Sequence, residues 1–201
     1  GVKDTANVRG TSDLTEASIV ANRRPNDQLS KTAWVGRAVP GTQIEIRRED
    51  GSICEAGEVG ELFSTSACLF NGYWKRPEET TEAFQDNWVT VGDLAKKDAE
   101  GHLYIVDRKK DMVISGGVNI YPRDIEETLL QHPSISDVAV IGIPDEKWGE
   151  RLKAFIVLAP DAELDAEGIS EFCDGRISSM KTPKDIAFID VLPRNASGKV
   201  L

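Results

Sequence analysis

The residues able to do chemistry stand in short, separated groups. Near the end of the chain, Ser197-Gly198-Lys199 sets an ammonium on a flexible stem behind a glycine. Such a point charge can stabilise negative charge that grows during a reaction, although the tripeptide alone reads as a surface loop. Gly92-Asp93 sets a carboxylate beside bare backbone. Its two oxygens can each accept one hydroxyl proton, and its competing role is to cap a turn. Arg108 lies in the cluster Asp107-Arg108-Lys109-Lys110-Asp111 and presents a fixed fork of donors, while Lys109 reads as solvent-exposed. Gly116-Gly117 sits between apolar residues, which marks a bend or a close approach by a ligand or another backbone. Thr15-Glu16, taken alone, is a capped helix start or a plain loop.

The elements that must position these groups follow from periodicity. Residues 1–31 read as polar and irregular, with Asn22 to Gln28 a surface loop. From Ala33 the chain is β-rich, with an alternating strand at Gln43 to Arg47, an Asp50-Gly51 turn and a strand at Gly57 to Ser64. Glu78 to Phe84 is a short helix whose acids lie at its positive end. Leu103 to Val106 is another strand, and the charged break followed by the paired glycines reads as a hinge between two domains or as a surface β-hairpin. Beyond it, Pro122 opens a helix with Ile125 and Leu129 on one face. Val138 to Ile143 and Lys153 to Leu158 are buried strands, Asp165 to Arg176 a helix, and Ile186 to Ile189 a last strand. Such alternation predicts a small α/β or α+β domain.

Composition excludes several function classes. A net charge of −10 opposes nonspecific nucleic-acid binding. The three cysteines, Cys54, Cys68 and Cys173, form no CxxC pair, and the two histidines offer no zinc cluster, so reduced thiols in a cytoplasmic protein are expected. The longest apolar run, Val138 to Pro144, is too short to be a transmembrane segment.

The run DRKKDMVISGGVNIYPRDIEE, Asp107 to Glu127, resembles the hinge motif of the adenylate-forming acyl-CoA synthetases. This superfamily also holds luciferases and the adenylation domains of peptide synthetases. The succession VGRAVPG, GEVGEL and GYWKRPEET resembles the end of its large domain. The resemblance implies that residues 1–109 are the β-rich C-terminal part of a large AMP-binding domain. Residues 110–201 are then a small mobile C-terminal α/β lid domain, cut just after Lys199. Nothing here matches the family's phosphate loop, and the carboxylate pocket is absent, so the rest of the large domain is an implied partner and the chain alone is expected to be inactive.

The roles implied by the resemblance are specific. Thr15 would contact phosphate and Glu16 would hold Mg²⁺, although Ser12 and Asp13 stand where the motif has an aromatic residue and a glycine. Asp93 would accept both ribose hydroxyls, with Val91 in place of the usual Thr, and Arg108 would reach the ribose and phosphate. Lys110 would be the pivot whose torsions absorb a domain rotation. Gly116 and Gly117 would present bare backbone to the pantetheine arm of coenzyme A, with Trp148 nearby or else packed in the core. Lys199 would be the adenylation lysine, binding ATP between the carboxylate and the α-phosphate. The implied reaction joins a small-molecule carboxylic acid to coenzyme A through an acyl-AMP, with ATP and Mg²⁺, and the pattern looks most like medium- or long-chain fatty-acyl-CoA synthetases. Aromatic, dicarboxylic or sterol-derived acids are the alternative substrates, and a noncatalytic nucleotide-binding module is the alternative class.

Overall fold

The computed structural model describes residues 11–14, 16, 18–22, 34–196 and 198–201. The chain divides into two compact units, Gly1–Lys109 and Lys110–Leu201.

The first unit is built on antiparallel strands. β1 (Thr11–Leu14) and β2 (Ser18–Asn22) form a hairpin where the sequence predicts irregular chain. Ser18 to Ala21 is too short a run to declare itself, but Val20 and Ala21 are fully buried, and Ala21 pairs with Ala38 of β3 (Trp34–Ala38). Burial of two apolar side chains and a sheet neighbour override the polar local signal. β4 (Thr42–Arg47) turns Ile44 and Ile46 into the core and pairs with β5 (Gly60–Ser66). α1 (Pro77–Ala83) carries Pro77 in its first turn with Glu78 and Glu79. β6 (Phe84–Gln85), β7 (Trp88–Val89), β8 (Asp93–Lys97) and β9 (Leu103–Arg108) complete the sheet. Its order is β1-β2-β3-β9-β8-β5-β7-β6, with β4 on β5.

The second unit packs helices on a five-stranded sheet. β10 (Val113–Ser115) and β11 (Val118–Ile120) form the hairpin that carries the paired glycines, and α2 (Pro122–Leu129) follows. β12 (Ile135–Asp145) and β13 (Gly149–Leu158) are paired from Ile135↔Leu158 to Asp145↔Gly149. They outrun the predicted apolar stretches because the ladder continues through polar residues to the turn at Glu146–Trp148. α3 (Ala166–Cys173) stops short of Arg176, since Asp174 is extended and Gly175 takes φ +69°. Asp165 caps it, its Oδ1 accepting the Gly168 amide at 2.9 Å. β14 (Asp185–Phe188) lies parallel to β13. Ile125, Leu129, Ile169 and Cys173 pack on Val138, Val140, Leu152, Ala154 and Ile156, so each helix buries one apolar face. The whole is a mixed α/β chain, rich in strands.

Candidate functional site

In the first unit the site grows from the β8–β9 hairpin. Its closed end is set by Asp98. Burial opposes the Asp98 charge, yet bonds from the His102 amide at 2.9 Å and the Glu100 amide at 3.0 Å, with His102 Nδ1 at 2.9 Å, hold its carboxyl well below the usual range. Asp98, Glu100 and His102 bring ligand-type atoms within 4.8 Å of one another, but Asp98 is committed to this turn. The turn fixes the register, and at the open end Asp93 stands directly across from Arg108. Arg108 Nε lies 3.6 Å from Asp93 Oδ1; the carboxylate is largely buried and the guanidinium half-exposed. Two residues 15 apart in sequence thus share one end of one hairpin.

Glu61 ties this end together, and the sequence reading missed it. Its Oε1 accepts the Thr90 hydroxyl at 2.8 Å, and its Oε2 accepts Lys109 Nζ at 2.8 Å. Thr90 Oγ1 in turn accepts the Gly92 amide at 3.1 Å, and the Lys109 amide donates to the Gly92 carbonyl at 2.7 Å. The ring fixes the backbone just before Asp93. Lys109 is exposed, as the sequence suggests, and its ammonium also pairs with Glu61, because the hairpin returns it beside β5. Thr90 supplies a hydroxyl one position before Val91. A cleft of about 400 Å³ is lined by Glu61, Tyr73, Arg76, Thr90, Val91 and Gly92.

Thr15 lies outside the described residues. Glu16 is half-buried, and its Oε1 accepts the Tyr73 hydroxyl at 2.7 Å. One oriented carboxylate oxygen is a donor set that suits Mg²⁺, which takes one or two carboxylates and completes its shell with phosphates and water. Burial first, then the bond to Glu16, pushes the Tyr73 phenol up to about 12. A raised folded value stabilises the fold fully below the ordinary value of 10.0, and the contribution is lost as pH rises through about 12. In an ultraviolet titration Tyr73 is expected to ionise late, and Tyr73→Phe should reduce the absorbance change near pH 12. An unchanged absorbance step near pH 12 in Tyr73→Phe would overturn this.

In the second unit the predicted coenzyme A residues come together. Trp148 is 47% exposed, which rules against its packing in the core. Its ring covers Gly116: a Cβ placed there would lie 2.7 Å from Trp148 Cε3. Gly116 has φ +58° and donates its amide to the Trp148 carbonyl at 2.9 Å, so glycine is needed for both conformation and contact. Gly117, at φ +79°, faces open space. Gly117→Ala should therefore cost about 1 kcal/mol of stability, the left-handed backbone cost alone. Gly116→Ala should cost at least about 2 kcal/mol, since displacement of the Trp148 ring is added. Equal shifts in urea unfolding would sink that distinction.

Beside Trp148 lies a cleft of about 320 Å³, bordered also by Ser115, Arg151, Leu152, Met180 and Lys184. The sequence reading assigned no role to Arg151 or Lys184. The only local signal was basic residues in an alternating strand and near Pro183, which do not declare a common cleft. Lys110 is exposed and opens the second unit. Lys199 is exposed on a small loop closed by an Arg194↔Val200 bridge. Asn195 Oδ1 accepts the Lys199 amide at 2.9 Å. Arg194 donates to the Gly198 carbonyl at 2.8 Å and pairs with Asp137 Oδ2 of β12 at 2.5 Å. The lysine therefore stands on an anchored loop, with its ammonium in solvent.

Residues 13–74 match the AMP-binding enzyme family, and residues 124–199 match the AMP-binding enzyme C-terminal domain; the chain belongs to the adenylate-forming superfamily. It is 47% identical over 175 residues to the long-chain-fatty-acid–CoA ligase FadD13 of Mycobacterium tuberculosis, covering 87% of this chain and 34% of that protein. It is 40% identical over 182 residues to the indoleacetate–CoA ligase of Aromatoleum aromaticum, covering 90% and 36%. The o-succinylbenzoate CoA synthetase (MenE) from Bacillus subtilis, solved with the acyl-adenylate intermediate OSB-AMP, matches with a TM-score of 0.89 and 34% identity over 96% of this chain and 39% of that one. The same enzyme is also solved with ATP and magnesium ion. The chain spans about a third of the length of the curated relatives it matches.

Proposed function

We propose that this chain is the C-terminal part of an AMP-forming carboxylate–CoA ligase acting on a medium- or long-chain fatty acid. The observation that carries the reading is the Asp93–Arg108 pair, a carboxylate and a guanidinium 3.6 Å apart beside glycine backbone in a chain of this superfamily. Asp93 accepts the two ribose hydroxyls, and Arg108 donates to the ribose and phosphate. Thr15 contacts phosphate. Glu16, oriented by Tyr73, would hold Mg²⁺, which would supply positive charge beside the phosphates.

In the first step a carboxylate oxygen attacks the α-phosphorus, the bond to the bridging oxygen breaks, and pyrophosphate leaves. Lys199 places its ammonium where negative charge grows on that phosphorus. In the second step the sulfur of coenzyme A attacks the acyl carbon, its proton is lost, and AMP leaves with the bonding pair. Lys110 is the pivot that exchanges the two arrangements. Gly116 and Gly117 then border the pantetheine arm, and Trp148 borders coenzyme A. Arg151, which also pairs with Asp185 at 3.4 Å, and Lys184 border the same cleft together with Asp145, and the two cations suit the phosphates of coenzyme A.

The fatty-acid reading is supported by the 47% identity to a long-chain-fatty-acid–CoA ligase, and an aromatic or dicarboxylic acid is the second reading, favoured by the indoleacetate and succinylbenzoate relatives. The rest of the large domain is the implied partner. The cytoplasm is the proposed location, consistent with three free thiols. No helix among the described residues is long and apolar enough to cross a membrane.

The test is acid-dependent pyrophosphate release by the complete polypeptide that carries this chain, with fatty and aromatic acids in parallel. Release with fatty acids is expected. Release with aromatic acids alone overturns the acid class. No release with any acid, from a folded protein that still binds AMP, replaces the ligase with a nucleotide-binding module.

A further inference from the structure

We propose that Glu150 is a positioning residue for thioester formation, acting through the backbone of the Gly116–Gly117 hairpin; this rests on the ligase reading above. The hairpin β10–β11 is joined to β13 by a single register pair, Ser115↔Gly149. On one side of that pair the Gly116 amide donates to the Trp148 carbonyl at 2.9 Å. On the other side the Ile114 amide donates to a side chain, Glu150 Oε2, at 2.7 Å. A side chain thus fastens the root of the glycine hairpin beside that single register pair.

The surrounding residues make room for this arrangement. A Cβ at Gly142 would lie 2.9 Å from Glu150 Oε1 and 3.0 Å from Val113 Cγ2, so a glycine there keeps the carboxylate in place against β10. Asp145 Oδ1 accepts the Lys147 and Trp148 amides, each at 2.9 Å, and these bonds hold the Asp145 carboxyl below its ordinary range. That turn aims the Trp148 ring at Gly116. Trp148, Gly149 and Glu150 therefore act as three successive fasteners on one hairpin: a ring on Gly116, a strand pair with Ser115 and a carboxylate on the Ile114 amide.

The bond from the Ile114 amide to the Glu150 side-chain oxygen fixes where the hairpin backbone lies. Only the second step uses that backbone, so the effect of losing it falls on thioester formation. In single-turnover assays of the complete polypeptide, Glu150→Ala should slow acyl transfer from preformed acyl-AMP to coenzyme A by about tenfold, the scale of one such bond. Adenylation should change by less than about twofold, because none of its groups rests on this hairpin. Glu150→Gln keeps an oxygen acceptor of the same reach and should restore transfer. Amide hydrogen exchange across residues 112–121 should quicken in the alanine variant and not in the glutamine variant.

Equal loss of both steps, failure of glutamine to restore transfer, or unchanged exchange across 112–121 would each overturn the proposal. A wild-type protein that adenylates but forms no thioester overturns the ligase reading, and the role assigned to Glu150 with it. A wild type that forms thioester, with an alanine variant that does so equally fast, overturns the role of Glu150 alone.

Discussion

Lys199→Ala is expected to lower acid-dependent pyrophosphate release by about 10²–10³, the usual loss when one preorganised electrostatic partner of a transition state is removed. The effect should fall on the rate at saturating ATP rather than on ATP affinity, because the charge the lysine meets develops during the attack. The structure makes the variant informative. The Lys199 side chain is exposed, while the loop is fastened by the backbone bond to Asn195 and by Arg194 on Asp137. Removing the ammonium leaves those fastenings in place, so the fold should survive. Acyl transfer from preformed acyl-AMP should continue at close to the wild-type rate. A fall of less than tenfold in pyrophosphate release, from a protein that unfolds normally, would remove Lys199 from the chemistry.

Asp93→Ala carries the second large effect. A hydrogen bond to a charged acceptor is worth about 1.5–3 kcal/mol, so losing two hydroxyl bonds predicts a fall of at least about 10² in kcat/KM for ATP. The substitution also takes the partner from Arg108 at the open end of the β8–β9 hairpin. Loss of the ribose bonds and loss of the ion pair can be separated with the ligand. Wild-type protein should bind 2′,3′-dideoxy-AMP much more weakly than AMP, and Asp93→Ala should bind the two equally. If the alanine variant still prefers AMP, the ribose hydroxyls are held elsewhere, and Asp93 serves only to place Arg108.

Much of the chain declared itself because its signals are local. The superfamily was legible in the run from Asp107 to Glu127, and the mixed α/β class in alternating apolar periods. The helix that opens at Pro122 was legible from its proline and its Ile125–Leu129 spacing. The β1–β2 hairpin was not, since its strands are short and partly polar, and their stability comes from burial of Val20 and Ala21 and from pairing with β3. The end of α3 was also missed, because Asp174 and Gly175 leave the helix while the apolar period runs on.

The sequence by itself determined which candidate groups exist and in what order, since residue type and chain spacing suffice to name a carboxylate after a glycine, an arginine before two lysines and a lysine after Ser-Gly. Tertiary structure decided which of them meet. Asp93 faces Arg108 only because the Asp98 turn sets the register of β8 on β9. Glu61 reaches Thr90 and Lys109 only because β5 runs beside that hairpin. Glu150 and Trp148 fasten the glycine hairpin only because β13 turns back on β12 and brings Gly142 and Gly116 beneath them. Strand pairing joins residues far apart in sequence through backbone hydrogen bonds that are blind to most side chains, so no local pattern announces these partners.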